Sequence, residues 1–402
     1  MARFEFYGQL KAVKETEDFK ALEIKTFQSG WTRKTLKVNA FGNGSRYSLQ
    51  SECGYWGDGH GNCLEKNTIF SKDINNNNIT IPYGKRFNVD VVNNVHYSRS
   101  FDIVLLGGEK LNFVKNVVKQ YEEGKEPSEN TRRELNIDSY EDAVKLLKQV
   151  QGKHYKYVFE GDFQDKLQEL LKAGEFDNVP VKVTGEYSIQ YGEQSGQFYK
   201  KFKINKIYCG EHQHQEGLYI LSDVIFDKNP IEKIDGSDDV LVNTFIRYYD
   251  SNYKSMANKG YVMCPFVIKL QAKDRAFPAL VKRFSKPSAD SVSKYRQLGL
   301  EILYVNGAEA NDITLDDLTE EEREDINFGL RSFEDIKKTY GGKVYGDRIT
   351  EFRVYKTTSS VEDTAFEDKD FELPTHDVPQ QVKVTVNATI TTDDDDDLPF
   401  DI

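Results

Sequence analysis

Cysteine, long apolar runs and catalytic signatures are what this sequence has least of, and each shortage removes a class of protein. Cys53, Cys63, Cys209 and Cys264 are too few and too scattered in 402 residues for a disulfide scaffold, which fits a reducing compartment. No stretch of about 18 apolar residues is present to span a membrane. The opening MARFEFYGQL has none of the basic-then-apolar pattern of a secretory leader, so we expect a cytoplasmic protein. Without such a leader the sequon Asn387-Ala388-Thr389 carries no meaning. There is no Walker loop, nucleophile elbow or dinucleotide fingerprint. Asp316, Asp317 and Glu320 to Glu322 could suggest a metal-dependent nuclease, but they stand at a helix start, where the dipole favours acidic side chains anyway. We expect no enzyme and no cofactor.

What is present is aromatic and unevenly charged. The chain carries 25 Phe and 23 Tyr, and a length that allows two or three domains with cores of their own. The formal net charge is −12, of which −11 lies from Ser359 onward; the first 358 residues are almost neutral, and residues 1–115 are net +4. An acidic pI near 5.2 would argue against nucleic-acid binding, but it describes the tail rather than the body.

Residues 1–110 read as an all-β unit. Phe4, Phe6 and Leu10 alternate with Glu5, Tyr7 and Gln9, as do Leu36, Val38 and Ala40 with Lys37 and Asn39. Turns are marked at Ser29-Gly30, Gly42 to Gly44 and Gly57 to Gly61, with later strands expected at 86–92 and 101–106. Residues 111–152 are helical in pattern, with a linker over 121–131 and a helix capped by Asp138-Ser139 that carries Tyr140, Ala143, Val144 and Leu147 on one face. A second β-rich region, 153–358, opens with a short helix over 163–172. A long hairpin over 181–191 and 198–209 follows, with Phe198, Phe202 and Ile204 turned to the core and Tyr199, Lys201 and Lys203 turned away. Further strands are expected at 218–226, 241–248, 261–270, 300–305 and 348–355, with helices started by Thr319/Glu322 and Ser332/Asp335. The fold class expected is mainly β with inserted helices (α+β): two or three OB-like barrels followed by a disordered acidic tail, 359–402. Within that tail Val382, Val384, Val386, Ala388 and Ile390 alternate with polar residues, the pattern of a solvated linker or of an edge strand added to a sheet.

β-rich units with surface aromatics and cations fit single-strand binding, where bases stack on rings and Lys or Arg tracks phosphate. The candidates are Trp31, Arg33, Lys34, Arg46, Tyr47, Tyr55, Trp56, Tyr83, Lys85, Arg86, Tyr97 and Arg99 in the first unit. In the second they are Tyr199, Lys200, Lys201 and Lys203, then Tyr248, Tyr249, Tyr253 and Lys254. A Tyr or Trp on a strand is more often core than platform, so the collection counts for more than its members. Cys53, His60 and Cys63, and Cys209, His212 and His214, have zinc-ligand residue types. Each group supplies three ligands where a closed site takes four, and neither has paired spacing.

The most specific signal is Asp393, Asp394, Asp395, Asp396, Asp397, Leu398, Pro399 and Phe400. Five aspartates can meet a basic surface while Leu398 and Phe400 fill an apolar pocket and Pro399 limits the entropy lost. This run resembles the C-terminal tip of bacterial single-stranded DNA-binding proteins, and the resemblance implies a docking role for those eight residues toward replication and repair proteins. In that family the chain ends at the Phe; here Asp401 and Ile402 follow. The body is unlike the single small barrel of the bacterial proteins and resembles a virus-encoded single-stranded DNA-binding protein bearing the host's tip, which would place it in the bacterial cytoplasm. The expected function is therefore to coat single-stranded DNA and recruit partners, with strand annealing as a possible extension. The alternative is an adaptor that displays the tip to capture or block host enzymes without touching DNA.

Overall fold

The computed structural model describes residues 2–373 apart from positions 18, 106–107, 152, 193–194, 251–252, 254–259, 286–292, 313, 316–317 and 340–342. Lys254, the alternating stretch 382–390 and the whole Asp393–Phe400 run lie outside the described residues.

The chain opens with β1 (Arg3–Lys11), a short β2 (Leu22–Thr26) and a long hairpin of β3 (Trp31–Gly42) and β4 (Ser45–Trp56). The period-two pattern is reproduced: Phe4, Phe6, Leu10, Leu36, Val38, Ala40 and Leu49 are all fully buried. An excursion follows. It holds the ribbon β5 (Thr68–Lys72) and β6 (Asn78–Pro82), α1 (Val89–Asn94), β7 (Phe101–Val104), the helices α2 (Gly108–Glu122), α3 (Glu129–Leu135) and α4 (Tyr140–Gln151), and β8 (His154–Tyr157). The strand expected at 86–92 is absent because Asn88 takes the N–H groups of Asp90 and Val91 on its side chain and starts α1 instead. Helices α2 to α4 hold a small core of their own around Val114, Val117, Leu135, Ile137 and Ala143.

After α5 (Glu160–Lys172) come β9 (Val181–Gly192) and β10 (Gln197–Cys209), then β11 (Gly217–Phe226), β12 (Ile231–Lys233), β13 (Val240–Tyr249), β14 (Tyr261–Leu270) and α6 (Phe277–Ser285). The last elements are β15 (Arg296–Asp312), α7 (Glu320–Asn327), α8 (Phe333–Thr339), β16 (Lys343–Thr357) and a two-residue β17 (Glu362–Asp363). The Thr319/Glu322 capping box forms as expected. The protein is mainly β, with helices inserted between strands.

Strand pairing sorts most of this sheet into two closed five-strand circuits. In the first, β1 pairs β3, β3 pairs β4, β4 pairs β10, β10 pairs β9, and β9 returns to β1. In the second, β11, β13, β14, β16 and β15 close in the same order. In both, only the contact between the third and fifth strands is parallel, Gln50 beside Lys203 and Lys269 beside Arg353. A helix joins the third strand to the fourth in each, α5 in one and α6 in the other. The 181–209 hairpin, read from sequence as part of the second β unit, thus closes the first circuit. Its pairing with β1 spans nearly two hundred residues, a separation that local periodicity cannot report.

The strands that open the two circuits lie antiparallel, Arg3 to Tyr7 against Leu221 to Gly217. One contiguous core runs through both. Phe6 meets Tyr47, Tyr47 meets Tyr304, Tyr304 stacks on Phe352 at 4.7 Å, and Phe352 meets Phe266 at 4.4 Å. Residues 359–371, expected to be disordered, also belong to the ordered body: β17 pairs the start of β15, and Phe366 and Phe371 pack beside Met263 and Tyr295. Two aromatic anchors in an otherwise acidic stretch supply the burial that its composition hid. Among the described residues no helix is long and apolar enough to cross a membrane.

Two consequences can be measured. Gly185 faces the bulge in β10 between Ile204 and Lys206, and a Cβ there would overlap the Lys203 carbonyl and the Phe4 ring. Gly185→Val should lower unfolding free energy by about 2–3 kcal/mol in denaturant titration. Asp102 is the second case. Burial alone would raise its pKa, but hydrogen bonds with His154 at 2.8 Å, Lys206 and Ser100, with the charge of Lys206, outweigh it and hold the carboxyl at about 2 against an ordinary 3.8. A depressed carboxyl contributes stability above its unfolded pKa, here of order 2 kcal/mol, which is lost as pH falls from 3.8 toward 2. Asp102→Asn should flatten that limb of the stability-against-pH curve.

Candidate nucleic-acid interface

The hairpin of β3 and β4 turns one face to the core and leaves the other uncovered at its open end. Trp31 and Trp56 are directly cross-strand there, with ring centroids 5.4 Å apart in an edge-to-face pair, and remain 39% and 45% exposed. The exposed part of this pair is apolar surface that a ligand could bury. The Trp31 indole lies across Gly54, where any Cβ would overlap it, so the absence of a side chain on β4 sets the ring's position. Two residues along, Arg33 is cross-strand from Gly54 on one side and from Lys25 on the other. The Lys25 ammonium stands 5.5 Å from the ring of exposed Phe27. Rings and cations thus alternate across the β2–β3–β4 edge, the pairing of stacking surface and phosphate ligand that a single strand requires.

The face continues toward β10. Lys201 reaches Glu52 at 3.5 Å, and Tyr199, two residues on, is exposed with its ring over Gly192 and its hydroxyl on Ser195. Lys203, on the same side, is held by Glu160 at 2.8 Å. Lys200 points the other way, with its ammonium 4.8 Å from the Phe352 ring and 5.4 Å from Phe266, and burial pushes its pKa down; its position takes it away from this face.

Other sequence candidates are structural. Lys34 is buried against Asp165 and the Gly161 carbonyl, and Arg86 binds Asp162 at 2.9 Å while lying 3.7 Å over Tyr83. Tyr47 donates to the Tyr304 carbonyl, Tyr55 donates to the Gly61 carbonyl, and Tyr83 packs edge-on to Phe159. Tyr248 and Tyr253 are core residues of the second circuit. None of these rings offers a face to a base. Arg46, Lys85, Arg99 and Tyr97 are exposed, Tyr97 at 72%, but no contact joins them to the tryptophan pair.

On the second circuit Tyr249 is exposed and cross-strand from Tyr261, 5.4 Å away, with the Arg247 guanidinium 3.8 Å over the Tyr261 ring. Sequence reading named Tyr249 and missed Arg247 and Tyr261, as it missed Lys25, Phe27, Phe70 and Phe87. Phe70 is 81% exposed on the β5–β6 ribbon. The signal that could have found Tyr261 was its place: it opens β14 as Tyr249 closes β13, and the two are cross-strand partners.

The cysteine–histidine groups do not assemble. Cys53 is buried with its thiol toward Gln164, and burial followed by the charge of Glu160 pushes it up to about 12, so it stays protonated at neutral pH. His60 sits on an exposed loop organised by Asp58, and Cys63 is half-buried. His214 stacks on Tyr7 at 4.3 Å and meets Glu301 at 3.0 Å, while His212 approaches the Tyr208 carbonyl. Among the described residues no three His, Cys, Asp or Glu side chains come together as metal ligands.

No protein-family model and no curated protein matches this chain. Among solved structures it is similar to a deletion mutant of the single-stranded DNA binding protein from Thermus aquaticus, at 7% identity and a TM-score of 0.26, over 80% of this chain and 98% of that one. A likeness of that size leaves the interface to be judged on its own residues.

Those residues make a direct prediction. Gly54→Ala should displace the Trp31 indole, shifting tryptophan emission to the red and weakening any stacked ligand, with the melting temperature lowered by only a few degrees.

Proposed function

We propose that the protein binds single-stranded DNA through the outer face of β3 and β4 and recruits replication and repair proteins through Asp393–Phe400. The observation that carries this reading is the exposed Trp31–Trp56 pair, flanked by Arg33, Lys25 and Phe27, on the second and third strands of a closed five-strand circuit. We read both circuits as OB-like barrels: five strands, one parallel closure and a helix between the third and fourth strands support it, and the hairpin of the second and third strands is where such barrels hold oligonucleotides. With one such face on each circuit and a tip resembling the bacterial one, the reading extends to a virus-encoded protein at work in the bacterial cytoplasm. Coating of DNA is favoured over a DNA-free adaptor because an adaptor has no use for two tryptophans left in water.

The test is titration of oligo-dT into the full chain while following tryptophan fluorescence. Binding should quench emission and weaken linearly with salt on a double-logarithmic plot. Trp31→Ala and Trp56→Ala should each weaken binding by roughly tenfold to a hundredfold, the 1–3 kcal/mol of one stacked base. Removal of residues 393–402 should leave that binding intact and abolish partner capture. A chain with no affinity for oligo-dT at low salt would leave only the adaptor reading.

A further inference from the structure

The outer face of β13 and β14 occupies the same place in the second circuit that β3 and β4 occupy in the first, yet its part around Phe245 and Met263 is covered by the protein's own chain. Leaving β16, the backbone is tied down by Thr358 donating to the Gly299 carbonyl at 2.8 Å and by Gly299 donating to Ser359 Oγ at 2.8 Å. Glu362 and Asp363 then pair Gln297 and Arg296, and Thr364 donates to the Tyr295 carbonyl. Beyond them Phe366 and Phe371 settle on Phe245 of β13, Met263 of β14, Ile225 and Tyr295.

The chemistry of this contact is unusual for a structural strap. The Phe371 ring lies 4.1 Å from Tyr295, nearly parallel at 25°, as a base lies on a tyrosine. Between the two phenylalanines the Asp368 carboxylate accepts from Lys294 Nζ at 2.7 Å and from the Tyr295 hydroxyl at 2.9 Å, as a phosphate oxygen would. Arg247, already over Tyr261, is also 5.5 Å from the Phe366 ring. Ring, anion, ring is the order of groups along a single strand. The hold is light: a two-residue strand, an ion pair that is mostly exposed on both sides, and two half-buried rings.

We infer that Tyr295, Lys294, Phe245, Arg247 and Tyr261 form a second single-stranded nucleic-acid site, held closed by residues 362–371 acting as a built-in ligand mimic. The inference rests on the DNA-binding reading above and adds a second, conditional footprint. When DNA displaces the strap, bases take the places of Phe366 and Phe371 and a phosphate that of Asp368. The first circuit is open at all times and the second opens only to a competing strand.

The experiment counts oligonucleotides bound to the full chain by calorimetry, using a dT oligomer of about eight nucleotides, within the roughly 4–16 that one such barrel holds. The wild-type chain should take a second oligomer only weakly, near saturation; Phe366→Ser with Phe371→Ser should open the strap, seen as faster proteolysis within 359–371, and bring that second equivalent to the affinity of the first. Arg247→Ala with Tyr261→Ala in that opened background should remove the second equivalent and leave the first. Gln297→Cys with Glu362→Cys, a cross-strand pair, should lock the strap when oxidised and hold the count at one; reduction restores the wild-type response, so the comparison stands even if the serine variant fails to fold. An opened or reduced chain that still takes one equivalent at saturating oligomer overturns the second site and leaves the first intact. A chain that takes none, locked or open, overturns both readings.

Discussion

The antiparallel pairing of β1 with β11 is the constraint on which the rest depends. Each is the first strand of its circuit and each is shared: β1 also pairs β9 and β3, and β11 also pairs β15 and β13. Without that seam each circuit would expose a strand edge and a row of unpaired backbone groups. Aromatic rings from both circuits meet across the seam beside the fully buried Leu218 and Ile220. Tyr304 of the second circuit touches Tyr47 and Phe202 of the first as well as Phe352 of its own, and the Tyr47 hydroxyl donates to the Tyr304 carbonyl. Part of the abundance of Phe and Tyr in the sequence is therefore a property of this interior, and those rings are not available to a ligand.

A parallel division applies to charge. Helix α5 begins with acidic residues, as the dipole favours, and each of the three is committed: Glu160 to Lys203, Asp162 to Arg86 and Asp165 to Lys34. Three of the cations that the sequence offers for phosphate are thereby tied to one helix. Of those left at the surface, Arg33 stands cross-strand from Lys25 beside the tryptophan pair, while Arg46, Lys85 and Arg99 lie apart from it. The charge that matters to a nucleic acid is what remains after internal pairing, not the net count of a segment.

Much of the architecture was legible in the sequence. Alternation placed β1, β9, β10, β11, β13 and β14 within a residue or two and found the middle of β3, and capping chemistry placed the starts of α7 and α8. What could not be read was which strands meet. The 181–209 hairpin looks self-sufficient, yet it closes a circuit with strands near the start of the chain, because pairing partners are chosen by the whole core and not by nearby residues. The candidate site was legible in its centre and blurred at its margins. Trp31, Arg33 and Trp56 sit together as a cross-strand register brings them. Tyr47, Tyr55, Tyr83 and Tyr248 share their residue types and their nearness to turns but point inward, and period-two patterning weakens where strands bend. Phe366 and Phe371 were overlooked because acidic composition masked two well-spaced anchors.

The β1–β11 seam has a further consequence. Two such circuits carried by separate, identical chains would come apart on dilution, and any change on one face would be copied onto the other. Joined by residues 210–216, they hold their seam at an effective concentration set by a short tether, independent of how much protein is present. Covalent linkage also releases the halves from having to match. The first can keep its rings open to water while the second sets aside the corresponding surface for its own chain, a division of labour that a symmetric pair of identical subunits has no means to encode.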